Sequence, residues 1–255
     1  MGDRFAGRVV VVTGAARGIG DSIVRQFVAE GARAVVPDLI DPEEPVEGAR
    51  YLRCDVADRA AVEEAVASIE ATEGRIDVLV NNAGIQRVGL TDQFDPQLWA
   101  RVIDVHLLGA FHWSSLALRV MRRQRSGSIV SISSVAATIA LPGRGPYSAA
   151  KAALLGLTRV MAVEFAELGI RVNAIAPGMA HTAIIDQGIA NGSINLAVML
   201  GEIPMRRLAT TDEIARVVLF LASEDAAYIT GQTIVVDGGW SILGIHDRPD
   251  WLRAD

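Results

Sequence analysis

The chain has 255 residues, of which 51% are hydrophobic, and its formal net charge at pH 7 is -6. This apolar content supplies a core and argues against global disorder, while the negative charge argues against a nucleic-acid binder. Cys54 is the sole cysteine, so no internal disulfide can form. Neither a signal-peptide pattern nor an apolar run of membrane-spanning length is visible. We therefore expect a cytoplasmic protein that binds neither nucleic acid nor membrane.

Short apolar runs alternate with longer amphipathic segments, and this alternation predicts strands and helices in turn. The predicted strands cover residues 9–12, 34–36, 51–53, 76–80, 128–132, 171–175 and 233–236. The predicted helices cover residues 19–29, 61–69, 98–121, 147–168 and 212–222, and residues 183–205 are predicted to be irregular. Apolar strands separated by helices are typical of a parallel sheet that is covered on both faces. We expect an α/β fold: a single doubly wound domain over residues 1–255, with about seven parallel strands flanked by helices.

A glycine-rich turn lies between the first strand and the first helix. Residues 13–20 read TGAARGIG, in which Gly14, Gly18, Ile19 and Gly20 form the candidate binding turn. Glycines at such a turn let the backbone approach a pyrophosphate, and the helix N-terminus adds free N–H groups and a partial positive charge. Glycines alone also form tight turns, but their place between strand and helix predicts a dinucleotide site in a Rossmann-like fold.

Two charged residues bear on which dinucleotide binds. Asp38 ends the second strand, about twenty residues after the glycines, where a carboxylate binds the ribose hydroxyls and repels a 2′-phosphate. Arg17 favours the opposite choice, NADP, because a guanidinium in the turn can pair with a 2′-phosphate. Asp38 is also a residue type that starts turns. Repulsion at the ribose is a direct penalty, so we expect NAD, with NADP as the less favoured cofactor.

Further cofactor contacts are expected after the third and fourth strands. Asp55 and Val56 follow the third strand, and the Asp55 carboxylate either accepts a hydrogen bond from the adenine amine or caps the next helix. Asn82, Ala83 and Gly84 follow the fourth strand, where small residues let the backbone pass close to a ligand. Parallel sheets bind ligands at the carboxyl ends of their strands, and all these residues lie there.

Tyr147 and Lys151 form the candidate proton-transfer pair. Their spacing of four residues places both side chains on one face of a helix. A tyrosine with a pKa of about 10 exchanges protons poorly at neutral pH, whereas a neighbouring ammonium stabilises the phenolate and lowers that pKa. Ser134 ends the fifth strand region, and its hydroxyl can hold the substrate oxygen while Tyr147 moves the proton. Ser133 is the competing candidate.

Together these motifs resemble those of the short-chain dehydrogenase/reductase family. They span nearly the whole chain in the family's order. The matching segments are Thr13-Gly-x-x-x-Gly-Ile-Gly20, Asp55, Asn81-Asn-Ala-Gly84, Ser134, Tyr147-x-x-x-Lys151, Arg171-Val-Asn-x-Ile-x-Pro-Gly178 and Asp237-Gly-Gly239. The spacing of 13 residues between Ser134 and Tyr147 is the family's usual one and selects Ser134 over Ser133.

The resemblance implies further roles. Tyr147 and Lys151 also contact the nicotinamide ribose, residues 82–84 pack beside the adenosine half, and the nicotinamide carboxamide is lined by Pro177, Gly178 and Thr182. Family members are commonly tetramers that associate through the helices near 100–120 and 147–168 and through the C-terminal strand region. A homotetramer, or else a homodimer, is therefore implied.

One position departs from the family's pattern. The family's long central helix usually carries V-N-x-x-G-x-F, in which the asparagine helps to hold a water linked to the active-site lysine. Here His106 takes that place, within Val105-His-Leu-Leu-Gly-Ala-Phe111. Histidine donates and accepts hydrogen bonds, so we hypothesise that His106 takes part in the proton relay and alters the pH profile. The alternative is a histidine that is merely packed in the helix interface.

The substrate site is the least defined part of the sequence. Residues 183–205 fall where the family keeps a mobile lid, and their apolar content suits a partly hydrophobic ketone or alcohol. Gln86, Arg144 and Met179 are candidate substrate contacts by position, and Arg144 is either an anchor for a carboxylate or other polar group or a surface residue. No metal site is expected, because the four histidines show no ligand spacing with carboxylates or cysteines.

These features predict an NAD(H)-dependent oxidoreductase with Tyr147 as general acid and base. Its expected partners are small-molecule substrates: a secondary alcohol, polyol or sugar-like hydroxyl, and the corresponding ketone. The alternative enzyme is a 3-oxoacyl-thioester reductase, whose usual NADPH is allowed by Arg17 and disfavoured by Asp38. A non-catalytic nucleotide-binding scaffold is a third alternative, and the intact trio of Ser134, Tyr147 and Lys151 argues against it.

Overall fold

The computed structural model describes residues 2–192 and 194–244. These residues form one seven-stranded sheet, entirely parallel, in the order β3-β2-β1-β4-β5-β6-β7. The strands are β1 (Val9–Val12), β2 (Arg33–Asp38), β3 (Ala49–Arg53), β4 (Val78–Asn81), β5 (Gly127–Ile132), β6 (Ile170–Pro177) and β7 (Thr233–Val236). The predicted α/β class and parallel sheet are confirmed.

Helices cover the sheet on both sides. They are α1 (Gly18–Ala29), α2 (Arg59–Glu73), α3 (Pro96–Ile103), α4 (Gly109–Gln124), α5 (Gly145–Phe165), α6 (Ala183–Ala190), α7 (Leu196–Glu202) and α8 (Thr211–Ala222). A π-helical turn, Asp104–Leu108, joins α3 to α4, so the long helix predicted at 98–121 is not uniform along its length. The prediction that residues 183–205 are irregular is wrong, because they contain α6 and α7. Gly188 and Gly201 lie inside these two helices.

Polar residues fix where several helices begin. The Asp58 side chain accepts hydrogen bonds from the first N–H groups of α2, and Asp95 does the same for α3, which continues with a proline. Thr210 and Glu213 form a reciprocal capping box at the start of α8. These caps satisfy backbone donors that have no partner within the helix.

The core has two halves, one on each face of the sheet. Along β1, Val10 and Val12 pack into the cluster that includes α1 and α8, whereas Val9 and Val11 pack into the cluster that includes α2, α4 and α5. All four valines are fully buried. This alternation is what a strand covered on both faces requires, and it explains why β1 is apolar at every position.

The sheet order directs the polar loops to one edge. The chain moves outwards from β1 to β3 and then returns to form β4 on the other side of β1. Such a reversal opens a crevice beyond the carboxyl ends of the strands. The segments that begin at Thr13, Asn82, Ser133 and Gly178 all leave the sheet at this edge. Among the described residues, the helices are too short or too polar to cross a membrane.

Candidate active site

The glycine-rich turn carries the chain from β1 into α1 and leaves no room for a side chain at Gly14 or Gly20. Gly14 and Gly18 have φ values of 63° and 64°, in the left-handed region that favours glycine. A Cβ on Gly14 would lie 2.5 Å from the Ala83 Cα, and one on Gly20 would lie 2.6 Å from the Ala15 Cα. Bare backbone beside a helix N-terminus is the arrangement that accepts a pyrophosphate, so these residues fit a dinucleotide.

Asn82 and Ala83 hold this turn from the end of β4. The Asn82 side-chain amide donates to the carbonyls of Thr13 at 3.0 Å and Gly14 at 2.8 Å. The Thr13 hydroxyl oxygen accepts from the backbone N–H groups of Asn82 and Ala83, both at 3.1 Å. The Asn82 side chain therefore shapes the turn, a role distinct from the expected packing beside adenosine.

Asp38 contacts the glycine turn from the end of β2. One carboxylate oxygen accepts from the Ala16 N–H at 2.9 Å, and the other accepts from the Leu39 N–H at 2.6 Å. Asp38 thus starts a turn and also lies beside the nucleotide turn, while its contact with the ribose hydroxyls stays a prediction. Arg17 is exposed at the N-cap of α1 and forms no ion pair with a described carboxylate, while Ile19 packs against the core.

The Asp55 carboxylate already has partners within the protein. One oxygen accepts from the Ala57 N–H at 3.0 Å, and the other lies 2.7 Å from Nη2 of Arg101 on α3. The cap of α2 is Asp58, three residues later, and Val56 is buried between them. An adenine amine at Asp55 would share the carboxylate with Arg101, a partner that the sequence does not indicate.

Ser134, Tyr147 and Lys151 meet beyond the end of β5. Tyr147 and Lys151 lie one turn apart on α5, with Lys151 Nζ 5.6 Å from the centre of the tyrosine ring. Ser134 lies close enough to Tyr147 to act on its pKa as a hydrogen-bonding neighbour, and its hydroxyl oxygen also accepts from the Ala136 N–H at 3.2 Å. The Ser133 hydroxyl donates instead to the Lys151 carbonyl at 2.9 Å. The structure therefore turns Ser134, and not Ser133, towards the tyrosine.

Burial controls the protonation of this pair. It raises the pKa of Tyr147, while the hydrogen bond with Ser134 and the positive charge of Arg144 act in the opposite direction. Burial also lowers the pKa of Lys151 to about 7, and its Nζ donates to the Ile132 carbonyl at 2.6 Å. The expected lowering of the Tyr147 pKa by Lys151 is not found, since a lysine that is largely neutral above pH 7 stabilises a phenolate weakly.

His106 is buried in the π-helical turn, a local geometry that is frequent at functional sites. Its Nε2 lies 2.8 Å from the carbonyl oxygen of Ile85 and 3.1 Å from the backbone nitrogen of the same residue. Its ring meets Tyr147 edge-on, with centroids 5.1 Å apart. Burial and the charge of Lys151 lower the pKa of His106 to about 3. The ring is therefore neutral at physiological pH, and its own titration does not shape the pH profile there.

A small cavity connects this histidine with the lysine. It measures about 10 Å³, and its lining includes Asn81, His106 and Lys151. The Asn81 amide donates to the hydroxyls of Ser114 and Ser131, but Asn81 Oδ1 and His106 Nδ1 are buried without a hydrogen-bond partner among the described residues. Buried polar atoms normally have partners, and the cavity approaches the size needed for one water molecule.

The candidate substrate residues fall into two groups. Gln86 and Arg144 meet, with Nη1 of the arginine donating to Oε1 of the glutamine. The two loops that carry them are joined by a backbone hydrogen bond of 3.1 Å from Gly89 to Gly143. Met179 follows β6, and its carbonyl accepts a backbone hydrogen bond from Ala209 at 3.0 Å.

The segment that leads from β6 to α6 reaches back to the glycine turn. Pro177 ends β6, and a Cβ on Gly178 would lie 2.9 Å from the Asp237 Cα, so the backbone passes closely here. The methyl carbon of Thr182, immediately before α6, lies 3.9 Å from the position that a Cβ on Gly18 would take. The start of the lid segment and the nucleotide turn are therefore neighbours.

In the described residues no group of three or more His, Cys, Asp or Glu side chains is placed to hold a metal ion. His112 contacts the carbonyl of Val56 at 3.2 Å, and His181 lies 3.2 Å from Asp186. His246 lies outside the described residues.

Three residues at the site were not singled out from the sequence. Thr13 and Asn81 stand within motif segments, and the signal that marks them is a polar side chain at the end of an apolar strand. Arg101 has no such signal, because its contact with Asp55 bridges 46 positions of sequence.

Known proteins resemble the chain over nearly its whole length. A family model described as enoyl-(acyl carrier protein) reductase matches residues 14–241. The 3-oxoacyl-[acyl-carrier-protein] reductase FabG of Thermotoga maritima is 39% identical over 246 residues, covering 92% of this chain and 98% of that protein. The ligand-free aldohexose dehydrogenase AldT of Thermoplasma acidophilum has a TM-score of 0.92 and 36% identity, over 98% of this chain and 100% of that one. ElxO with NADP bound has a TM-score of 0.88 and 32% identity, over 92% and 99% of the two chains.

Proposed function

The chain belongs to the short-chain dehydrogenase/reductase family, and we propose that it is an NAD(H)-dependent oxidoreductase that interconverts a secondary alcohol and its ketone. Members of this family are oxidoreductases that bind NAD(P). A polyol or sugar-like hydroxyl falls within this class of alcohols, in keeping with the likeness to an aldohexose dehydrogenase. The observation that carries the proposal is the convergence of three side chains: Lys151 Nζ lies 5.6 Å from the centre of the Tyr147 ring, one helical turn away, and Ser134 is close enough to Tyr147 to lower its pKa.

In this proposal Tyr147 moves the proton. Its phenolate oxygen takes the hydroxyl proton of the alcohol during oxidation, and its phenol returns a proton to the ketone oxygen during reduction. Ser134 donates a hydrogen bond to the same substrate oxygen and keeps it at the tyrosine. The nicotinamide, when bound, accepts or supplies the hydride. The glycine turn and Asp38 would hold the dinucleotide, and the bare backbone at Gly14 and Gly18 supports this placement.

In this proposal Lys151 passes the proton of Tyr147 to solvent during oxidation and returns one from solvent during reduction, by way of water beside His106. A pKa of about 7 lets Lys151 gain and lose protons at physiological pH. The cavity shared by Lys151, His106 and Asn81, with two unpartnered polar atoms in its wall, supports a water-mediated relay at this point. A neutral histidine serves such a relay through its ring N–H and lone pair, without becoming charged.

Three variants of His106 test the relay. His106→Asn keeps a group that donates and accepts hydrogen bonds, so it should retain most of kcat, whereas His106→Ala and His106→Phe should lower it. Steady-state kinetics over the neutral pH range gives the comparison. An unchanged kcat in all three variants would show that His106 is only a packing residue.

Asp38 supports the proposed preference for NAD over NADP. Its carboxylate is bound to the glycine turn and therefore lies close to where the adenosine ribose would sit, so a 2′-phosphate would meet a like charge. ElxO, with NADP bound, illustrates that a similar fold accepts the phosphorylated cofactor. The ratio of kcat/KM for NADH and NADPH tests the preference, and a higher value for NADPH would overturn it.

A 3-oxoacyl-thioester reductase is the second candidate. The 39% identity to FabG favours it, as does Arg17, which is exposed and unpaired among the described carboxylates. A screen of alcohols, ketones and 3-oxoacyl thioesters with both cofactors, followed by NAD(P)H absorbance, separates the two. Turnover confined to thioesters with NADPH would replace the first candidate by the second.

Tyr147→Phe tests whether the protein is an enzyme at all. The phenol is the proton donor, so the variant should lose nearly all turnover while it still binds NADH, as measured by fluorescence titration. A protein whose cellular function survives this substitution would be a nucleotide-binding scaffold.

A further inference from the structure

We propose that Arg144, held by Gln86, binds a carboxylate of the substrate, so that the alcohol presented to Tyr147 is a small hydroxy acid. This inference rests on the proposed function and names the substrate class for the same site. It joins two residues that lie 58 positions apart and that the fold brings into contact.

Arg144 is fixed in place at the start of α5. It is the N-cap residue of this helix, three residues before Tyr147, and its carbonyl accepts from the Ser148 N–H at 2.8 Å. Positions three apart share a helix face, and the guanidinium is close enough to lower the pKa of Tyr147. A helix N-terminus itself favours a negative charge nearby. A group held by Arg144 is therefore held beside the proton-transfer residue.

The charge of Arg144 has no acidic partner among the described residues. Its side chain is bonded to the neutral amide of Gln86, whereas most arginines with a described side-chain partner pair with a carboxylate. The segments that carry Gln86, Arg144 and Tyr147 supply no acid, because residues 78–91 and 105–163 contain no Asp or Glu. The acids of the neighbouring segment are Asp92 and Asp95, and Asp95 accepts from the first N–H groups of α3 and forms no ion pair with Arg144. The charge of Arg144 is therefore available to a negative group of the ligand.

The remaining donors suit a carboxylate. Nη1 of Arg144 is used by Gln86, which leaves the Nε and Nη2 side of the guanidinium for a planar, two-oxygen acceptor. Gln86 accepts through Oε1, so its amide N–H groups remain as further donors. A neutral polyol would use hydrogen bonds here but would leave the guanidinium charge uncompensated.

Matched substrates test the inference. Lactate, 3-hydroxybutyrate and 4-hydroxypentanoate are each compared with their methyl esters, with NAD⁺, as kcat/KM. We expect the best acid to exceed its ester by at least about 10-fold, and Arg144→Gln to reduce this ratio by about 10- to 100-fold, mainly through KM. Because loss of Arg144 also raises the pKa of Tyr147, which affects both members of a pair, the ratio is the informative quantity. Arg144→Lys keeps the charge but loses the paired N–H donors of the guanidinium. Its acid-to-ester ratio should therefore fall between those of the parent and Arg144→Gln.

Arg87→Gln is the matched control. Arg87 is exposed on the same loop as Gln86, and its described hydrogen bond is to a backbone carbonyl, so this variant removes one charge without removing the anchor. The acid-to-ester ratio of the control should stay within about twofold of the parent. An equal loss in both arginine variants would assign the effect to long-range electrostatics and overturn the inference, as would esters that match their acids in the parent enzyme.

A binding measurement separates this inference from the proposed function. In the presence of NAD⁺, butanoate should raise the melting temperature of the parent and not of Arg144→Gln, whereas butanamide should raise neither. A butanoate shift without turnover of any alcohol would sustain the anion site and refute the dehydrogenase. Turnover of neutral alcohols, with no butanoate shift and no preference for acids, would sustain the dehydrogenase and refute the anion site.

Discussion

Tyr147 must change its protonation state to act, and its neighbours pull its pKa in opposite directions. Burial raises the pKa, while Ser134 and Arg144 lower it. Oxidation of an alcohol needs the phenolate, whereas reduction of a ketone needs the phenol. Oxidation should therefore become faster as the pH rises, and reduction should become slower.

Replacing Ser134 with alanine removes a donor to the substrate oxygen and one of the two influences that lower the pKa of Tyr147. We expect kcat for oxidation to fall by about 100-fold or more, and its pH profile to move to higher pH. Rate profiles from neutral pH to about 11 give both quantities. Ser133→Ala is the control and should leave the pH profile unchanged, because the Ser133 hydroxyl donates to the backbone carbonyl of Lys151. A profile that does not move in Ser134→Ala contradicts this account.

Lys151 destabilises the fold in a pH-dependent way. Its pKa is about 7 in the protein, against an ordinary value of 10.5, so between these pH values the folded protein binds fewer protons than the unfolded chain. The contribution of Lys151 to the free energy of unfolding therefore rises between pH 7 and pH 10.5. Below pH 7 the full cost of burying its charge applies.

The variant Lys151→Met lacks this pH dependence. The difference in melting temperature, variant minus parent, should be largest at or below pH 7 and should shrink as the pH approaches 10.5. Each kcal/mol of change corresponds to about 2–4 °C for a chain of this size. Thermal unfolding across this range measures the trend. A difference that is constant or grows with pH would mean that Lys151 is charged and well solvated in the folded state.

Asp38 sets the cofactor preference through its charge. Asp38→Asn keeps an acceptor for the Ala16 N–H and removes the negative charge, so the glycine turn should survive. We expect kcat/KM for NADPH relative to NADH to rise by at least about 10-fold, since like-charge repulsion at the ribose is relieved. Asp41→Asn, an exposed acid three residues later, is the control and should leave the ratio unchanged. An equal ratio in both variants would show that Asp38 matters only for the turn.

At the scale of the element, the π-helical turn and the loop after β4 fit each other. A Cβ on Gly84 would lie 2.4 Å from Cε1 of His106, a ring that is itself buried. Gly84→Ala should therefore destabilise the protein by about 1–3 kcal/mol, as overpacking does. The same substitution in a His106→Asn background should cost clearly less, because the smaller side chain leaves room. Denaturant unfolding of the four proteins gives the coupling, and additive effects would exclude the contact.

The sequence predicted strands and helices well where packing has a simple period. All seven strands were located, because the parallel sheet requires continuous apolar runs such as 9–12. The turn at 104–108 was missed, since one extra residue per turn leaves the apolar pattern of the long helix nearly intact. The helices at 183–190 and 196–202 were missed because each is short, at eight and seven residues, and because glycines, which disfavour helices, lie inside both.

The site was predictable as a set of positions and not as a set of contacts. The glycine turn, Tyr147 and Lys151 follow from motif spacing, since strand ends and helix faces fix where such residues lie. The direction of the Tyr147 pKa was predicted wrongly, because burial of both partners depends on packing from distant segments. The pairing of Asp55 with Arg101, and of Gln86 with Arg144, likewise depends on tertiary placement that no local pattern encodes.

At the scale of the whole molecule, two of the regions with exposed apolar side chains match the surfaces through which the family associates. The first, on α4 and α5, includes Phe111 and Val163, which is 81% exposed. The second, along β7 and the segment after it, includes Val235 and Ile242, which is 86% exposed. Exposed apolar patches mark association surfaces, and two self-complementary interfaces generate a tetramer with three two-fold axes. We propose that the protein is a homotetramer built from these two regions.

Charged substitutions at the two regions test this assembly separately. Val163→Glu and Ile242→Glu should each convert the tetramer into a dimer, because each places a carboxylate in one apolar interface, and the double variant should be monomeric. Light scattering coupled to size-exclusion chromatography gives the mass of each. Val198→Glu, at a residue 57% exposed on α7 and outside both regions, is the matched control and should remain tetrameric. A monomeric parent protein, or a tetramer that persists in both single variants, would refute the proposed interfaces.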